Sequence, residues 1–422
     1  MGAPLLAPNQ AEQDFLGFAA QENLAPEHRA AFDRFAAAGL PGRRVEAWHY
    51  TDLRAKLRAA PPLAPHPDAA DISAARGKVA VSDTLKIVTL DGFFIRELSD
   101  DLAAVPGLIL RGLHEDDAAF LHGFNARDPL LDLNAAFARG GFVVEVAAGA
   151  RIEKTLEIVA LAADEGAASR FGRGLVLLGP GAGARLLETR AEAADGFGDS
   201  ALFVELGQGA ELDFACRCAV SAPVETQTFV ARLEFGAQLR ASALIAGSTF
   251  LRRQMFVSCA GPDARVELSG ATLLKGREHA DTTLVLRHDA PSCFSRETFK
   301  YVLAGEANGV FQGKITVPPH AQKTDGKMMC RALLLEDGAA MSAKPELEIF
   351  ADDVACGHGS AIAKIDPAQI FYMESRGIPQ AVAQSMLIEA FAAEAFDSLA
   401  DEAMRDLLRG NLSDLLAGGA FA

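Results

Sequence analysis

The chain has 422 residues, 50% of them hydrophobic and 23% charged, which excludes a mainly disordered state and supplies apolar mass for a sizeable core. Its 40 Lys and Arg against 56 Asp and Glu leave a formal charge of −16, the wrong sign for a general nucleic-acid binder. No apolar run is long enough to cross a bilayer, Met1 to Gln21 lacks the order of an export signal, and six cysteines make no disulfide framework, so a soluble protein of a reducing cytoplasm is expected.

From about Gln10 to Leu57 apolar residues recur at helical spacing, as at Phe32, Phe35, Ala36 and Leu40, until Pro41-Gly42 interrupts them. Ala59 to Pro67 carries Pro61, Pro62, Pro65 and Pro67 and reads as an extended linker. An N-terminal helical domain over 1–75 is expected. A mixed segment over 76–141 follows, with a strand from Leu85 to Leu90 and a short helix from Leu130 to Phe137 before Gly140-Gly141.

From Phe142 the texture changes to short alternating runs of apolar and polar residues. Small pairs punctuate them at Gly183-Ala184, Gly209-Ala210, Gly236-Ala237, Asp263-Ala264 and Asp289-Ala290, in steps of 26, 27, 27 and 26 residues. Three residues into each unit stand Leu186, Leu212, Leu239, Val266 and Ser292. A period in the twenties with strand-like alternation is what a β-solenoid requires, because each coil buries its apolar face only against its neighbours. A β-sandwich needs no constant period. The expectation is therefore a mainly β chain, with a parallel β-helix over 142–362 and Leu212, Leu239 and Val266 stacked in one inward column.

The last segment, 363–422, returns to helices. Asp366-Pro367 is an N-cap followed by proline at the first helical position, Gly377 fits a helix end, and Pro379 opens the next helix. Val382, Met386, Ala390 and Phe391 keep helical spacing there, and Ser398 to Leu416 reads as a third helix.

Catalytic signatures are absent. Gly309 to Lys314 is one residue short of a phosphate-binding loop and is followed by Ile315. There is no His-Glu-x-x-His, no Gly-x-Ser-x-Gly and no pair of Cys-x-x-Cys knuckles. Cys216 and Cys218 alternate in phase with Leu212 and Phe214, so both read as buried packing residues. Cys259, Cys293 and Cys330 have no ligand partner nearby in sequence and read the same way, and His320, after Pro318-Pro319, reads as a turn residue. Cys356-Gly357-His358 differs: a spacing of two puts thiol and imidazole on one face of a strand, and Gly357 and Gly359 leave them accessible. Such ligands suit iron, iron–sulfur clusters or zinc, but two cannot close a tetrahedral site, so a partner chain would have to supply the rest, and on chemistry alone a structural role for the pair stays open.

Lys344 to Val354 running into Cys356-Gly357-His358-Gly359 resembles the SufB/SufD family of iron–sulfur cluster assembly scaffolds. So do Lys323-Thr324-Asp325-Gly326, Ile370-Phe371-Tyr372, Ser375-Arg376-Gly377-Ile378, Ala390 to Glu394 and, near the N-terminus, Glu46-Ala47-Trp48-His49-Tyr50-Thr51. Where SufB-type members carry His-Glu-Ala-Thr-Thr, this chain has His358-Gly359-Ser360-Ala361-Ile362, which favours the SufD side; Gly357 stands where some relatives carry Ser. The resemblance implies a helical N-terminal region, a right-handed parallel β-helix and a helical C-terminus. It further implies a non-catalytic subunit of a cytosolic complex with a SufB-like paralogue and a SufC-like ABC ATPase, or a homodimer when isolated. His358, with Cys356 beside it, would lie at the subunit interface and meet an iron–sulfur cluster or iron held transiently and shared with the partner. Ile370, Phe371, Tyr372, Arg376, Gly377, Ile378 and Met386 would bind the ATPase, and Lys323, Thr324, Asp325, Asp352 and Asp353 would serve structure. Neither nucleic acid nor membrane enters. The alternatives are a SufB-like paralogue and, from another class, a β-helix carbohydrate-active enzyme, which needs paired carboxylates or basic residues clustered on one exposed strand face that the repeats do not show.

Overall fold

Alternating inward and outward residues commit each coil to short strands, and the computed structural model shows the stack that results. It describes residues 7–80, 82–114, 117–124, 126–163, 166–190, 195–218, 223–247, 249–418 and 421. From Phe142 on, successive strands alternate between a ten-stranded and a nine-stranded sheet. The parallel run of the ten-stranded sheet passes through Gly183–Arg190, Glu211–Cys218, Gln238–Ala246, Arg265–Leu274, Phe294–Leu303 and Asp325–Leu334 to Ala355–Ala363. That of the nine-stranded sheet ends in Leu251–Cys259, His279–His288, Asn308–Val317 and Ala340–Ile349. Every neighbouring pair in these runs is parallel, which settles the choice against a sandwich. Rings from the two sheets meet across the core, as Phe214 on Phe229 at 5.2 Å and Phe299 on Phe311 at 4.8 Å.

Leu212, Leu239 and Val266 stand in register on three successive strands and are fully buried, the inward column expected from the repeat. Ala184 precedes them in that column; Leu186 belongs to the next one, with Phe214, Ala241 and Leu268. The repeat is less uniform than its sequence marks. The true corner residue lies in left-handed backbone, at Gly149, Gly181, Gly209, Gly236, Asp263, Ser292 and Lys323, with φ from 60° to 72°. Coils between these corners run 32, 28, 27, 27, 29 and 31 residues. Gly183-Ala184 and Asp289-Ala290 therefore mark no corner; they share its composition but fall two or more residues away. At each corner a backbone N–H crosses to the next coil, from Gly181 to Gln208 O through to Lys323 to Asp353 O, so the corners lock the stack along its edge.

Helices cover both outer faces. On the nine-stranded side, Phe15 and Phe35 from helices Gln10–Gln21 and Pro26–Ala38 join Phe137, Phe171, Phe197 and Phe250 in one aromatic cluster. The proline-rich stretch lies against the sheet, exchanging Ala64 N–H to Ser169 O (3.0 Å) and Ser169 N–H to Pro62 O (2.8 Å). On the other side, Ile388, Ala392, Phe396, Leu408 and Leu412 pack on Leu187, Leu244, Ala271 and Val302. Each large side chain buried this way contributes roughly 1.5–3 kcal/mol.

The Glu46–Thr51 motif has a structural use. Trp48 is buried under the Arg252 guanidinium, 4.2 Å away, and Arg252 donates to Ala47 O (2.7 Å) and forms a wholly enclosed ion pair with Asp281. Thr51 donates to the same Asp281 and lies 3.2 Å from His279. Gln312 donates to Ala47 O (3.0 Å), and Lys344 pairs with Glu46 (3.1 Å). The motif thus touches four successive coils. Among the described residues no helix is long and apolar enough to cross a membrane.

Candidate functional site

Ala340–Ile349 and Ala355–Ala363 are the last strands of their sheets, each hydrogen-bonded on one side only. Pro345, which has no N–H to donate, fits such an edge. Asp352 and Asp353 form the exposed turn between them. Asp353 donates its N–H to Gln322 Oε1 (2.8 Å) and accepts the Lys323 N–H through its carbonyl. Thr324 is buried and donates to Ala321 O (2.9 Å), while Arg296, hydrogen-bonded at 2.9 Å, holds the Asp325 carboxyl below the usual range. These five residues shape the final corner.

Cys356 and His358 both point along the inward direction, as their spacing of two requires. Cys356 continues the column of Val266, Ser295 and Gly326 and is half-buried; burial pushes its thiol up. Gly326 leaves the space behind it open: a Cβ there would stand 3.3 Å from Ser295 Oγ, 3.6 Å from His288 Nε2 and 3.7 Å from Cys356 Sγ. His358 continues the column of Leu268, Glu297 and Met328 but is exposed, because no further coil covers it. Its imidazole has no hydrogen-bond partner among the described residues, and a side chain at Gly357 would meet nothing within 4 Å, so a serine would fit. Thiol and imidazole thus stand ready at an uncovered end, two donors short of a tetrahedral set.

The expected ATPase-binding residues lie on the helical C-terminus. Asp366 caps helix Pro367–Ser375 by accepting the Ala368 N–H (2.9 Å), and Gly377 closes it at φ 84°. No residue of this helix is buried; Phe371 is 72% and Tyr372 59% exposed, and Ile370 is half-covered. Arg376 donates to the Tyr372 hydroxyl (3.1 Å), and Ile378 leads into helix Gln380–Ala393. That helix packs through Ala383, Ile388 and Ala392, so Val382 and Met386 form its outer stripe.

Of the other cysteines, Cys216, Cys218 and Cys330 are core residues, and burial pushes the Cys216 thiol up to about 11. His320 is a turn residue, its Nε2 2.9 Å from Asp289 O. Cys259 and Cys293 are buried too, but the reading that they lack ligand partners holds only along the chain. In space both meet His288, with all three ligand atoms within 4.8 Å of one another.

Residues 10–158 match the family model of the SufBD protein N-terminal region, and residues 160–391 match that of the SufBD core domain of the SUF system of iron–sulfur cluster assembly. The chain belongs to the SufBD family. The core-domain match takes in both terminal strands and the exposed helix after them. Among SufBD relatives, the iron–sulfur cluster assembly protein SufD of Escherichia coli is 29% identical, over 94% of each chain. A SufBD family protein of Synechocystis is 26% identical over 92% of this chain and 90% of its own. Within the SufBD family the similarity is of SufD type and runs nearly end to end.

Proposed function

We propose that the chain is a SufD-type, non-catalytic scaffold subunit of cytoplasmic iron–sulfur cluster assembly, whose open solenoid end pairs with the matching end of a longer SufB-like paralogue. The observation that carries this reading is the uncovered final coil. Two strands of nine and ten residues present unpaired backbone donors and acceptors, a state that stable proteins cover or block. Edge-to-edge addition of the paralogue's last coil would satisfy both strands and bury His358 and Cys356 in the seam. There the imidazole and thiol would meet iron or a nascent cluster, the cargo of the assembly, with the paralogue supplying the remaining ligands. The exposed helix Pro367–Ser375 would receive a SufC-like ABC ATPase, which carries the phosphate loop that this chain lacks.

Co-expression with both partners tests the reading. The three chains should co-purify, and His358→Ala should leave the complex and its melting temperature unchanged while lowering the iron and sulfide recovered with it. Cys356→Ser should be milder. Loss of the complex in His358→Ala would make the residue structural, and unchanged iron and sulfide would remove it from the site.

A further inference from the structure

Cys259 and His288 end their strands in adjacent coils and are register partners, and Cys293 follows the next corner, at Ser292. All three are buried, at 0, 0 and 1% exposure, inside the stack rather than at its open end. Their ligand atoms lie within 4.8 Å of one another, close enough for small side-chain movements to bring them onto one ion at metal–sulfur and metal–nitrogen distances of about 2.3 and 2.0–2.1 Å.

The hydrogen bonding is incomplete in a way that points to a ligand. His288 Nε2 lies 3.0 Å from Ser295 Oγ, but Nδ1 is fully enclosed with no partner. A core histidine normally satisfies both nitrogens, whereas a metal-binding histidine gives one to the ion and is oriented through the other. Cys293 reaches Gly261 O at 3.4 Å. Two thiolates would neutralise a divalent ion, so the filled site brings no net charge into the core.

We propose that Cys259, Cys293 and His288 Nδ1 form a resident site for a thiophilic divalent ion, with zinc the best fit to two sulfurs and one nitrogen and Ser295 orienting the imidazole. Binding releases the two thiol protons and leaves the thiolates as ligands. The ion cross-links adjacent coils beneath the open end. The site shares no residue with the Cys356–His358 seam and does not depend on the partners proposed for it.

The full-length chain, purified from zinc-supplemented cells, should carry one equivalent of zinc. After chelation and cobalt(II) addition it should show sulfur-to-cobalt charge-transfer absorption. Cys259→Ser and Cys293→Ser should each abolish that absorption, Cys356→Ser and His358→Ala should keep it, and Ser295→Ala should weaken binding by about 10–100-fold. Iron in place of zinc at these ligands supports the site and changes only its ion. Absence of metal and of the cobalt signal in the parent, survival of the signal in the double cysteine variant, or its loss in Cys356→Ser overturns the proposal. Should the cysteine variants not fold, X-ray absorption of the parent zinc form decides: two sulfurs and a nitrogen sustain the site, and a shell without sulfur ends it.

Discussion

Leu239 packs between Leu212 and Val266 in adjacent coils, so its truncation opens a cavity that neither neighbour can fill without leaving register. Leu239→Ala should cost about 2–5 kcal/mol, read as a lower urea midpoint at unchanged slope. Glu297 makes a pH-dependent case. Both its oxygens are enclosed without partners, and burial pushes its carboxyl from 4.5 up to about 8. Between those values the native state keeps a proton that the unfolded state has released, so stability falls as pH rises through this window. Glu297→Gln removes that loss and should gain on the parent from pH 5 to 8, by at most a few kcal/mol, in urea unfolding at each pH. A constant difference across the window would mean that the carboxyl ionises in the native state. At this scale the sequence was legible where local spacing decides. Two residues apart on a strand sufficed for Cys356 and His358. The pairing of Cys259 with His288 depends on coil length, and a repeat read as 26–27 residues steps past a partner 29 residues away.

Among the helices, Pro367–Ser375 keeps no side chain buried, whereas the elements after it line the outer face of the ten-stranded sheet. The cap at Asp366 and the stop at Gly377 were readable because they are short-range chemistry. The outer stripe of Val382 and Met386 was readable as a stripe, but not its direction, since this helix is apolar on several sides and only its docking decides that Ala383, Ile388 and Ala392 are the buried ones. Deleting everything after Asp366 would strip cover from Leu187, Leu244 and Val302, so truncation confounds partner loss with instability. Phe371→Ser with Tyr372→Ser avoids this. The double variant should lose capture of the ABC ATPase in a pull-down while its melting temperature stays within about a degree or two of the parent, as expected for exposed positions. Retained capture would remove this helix from the interface.

For the whole molecule, the parallel stack was legible from Phe142 onward because corner composition repeats, while the docking of the Glu46–Thr51 motif was not, since its contacts lie more than 200 residues away. Asp281→Ala would leave the Arg252 guanidinium enclosed without its counter-ion and should cost about 3–5 kcal/mol in thermal or urea unfolding. A loss below about 1 kcal/mol, the scale of an exposed pair, would mean that water reaches Arg252.

A pile of coils bonded only to their neighbours resists pulling at its free end one rung at a time, like an opening zip. The segment around Trp48 changes that, because Ala47 holds Arg252 and Gln312, Thr51 holds Asp281, and Glu46 reaches Lys344 on the final strand of its sheet. It acts as a tie rod laid along the rungs. The coils of Arg252, Asp281 and Gln312 are joined to it through enclosed contacts, and the final coil is joined through the exposed Glu46–Lys344 pair, so load is carried mainly by the three inner coils.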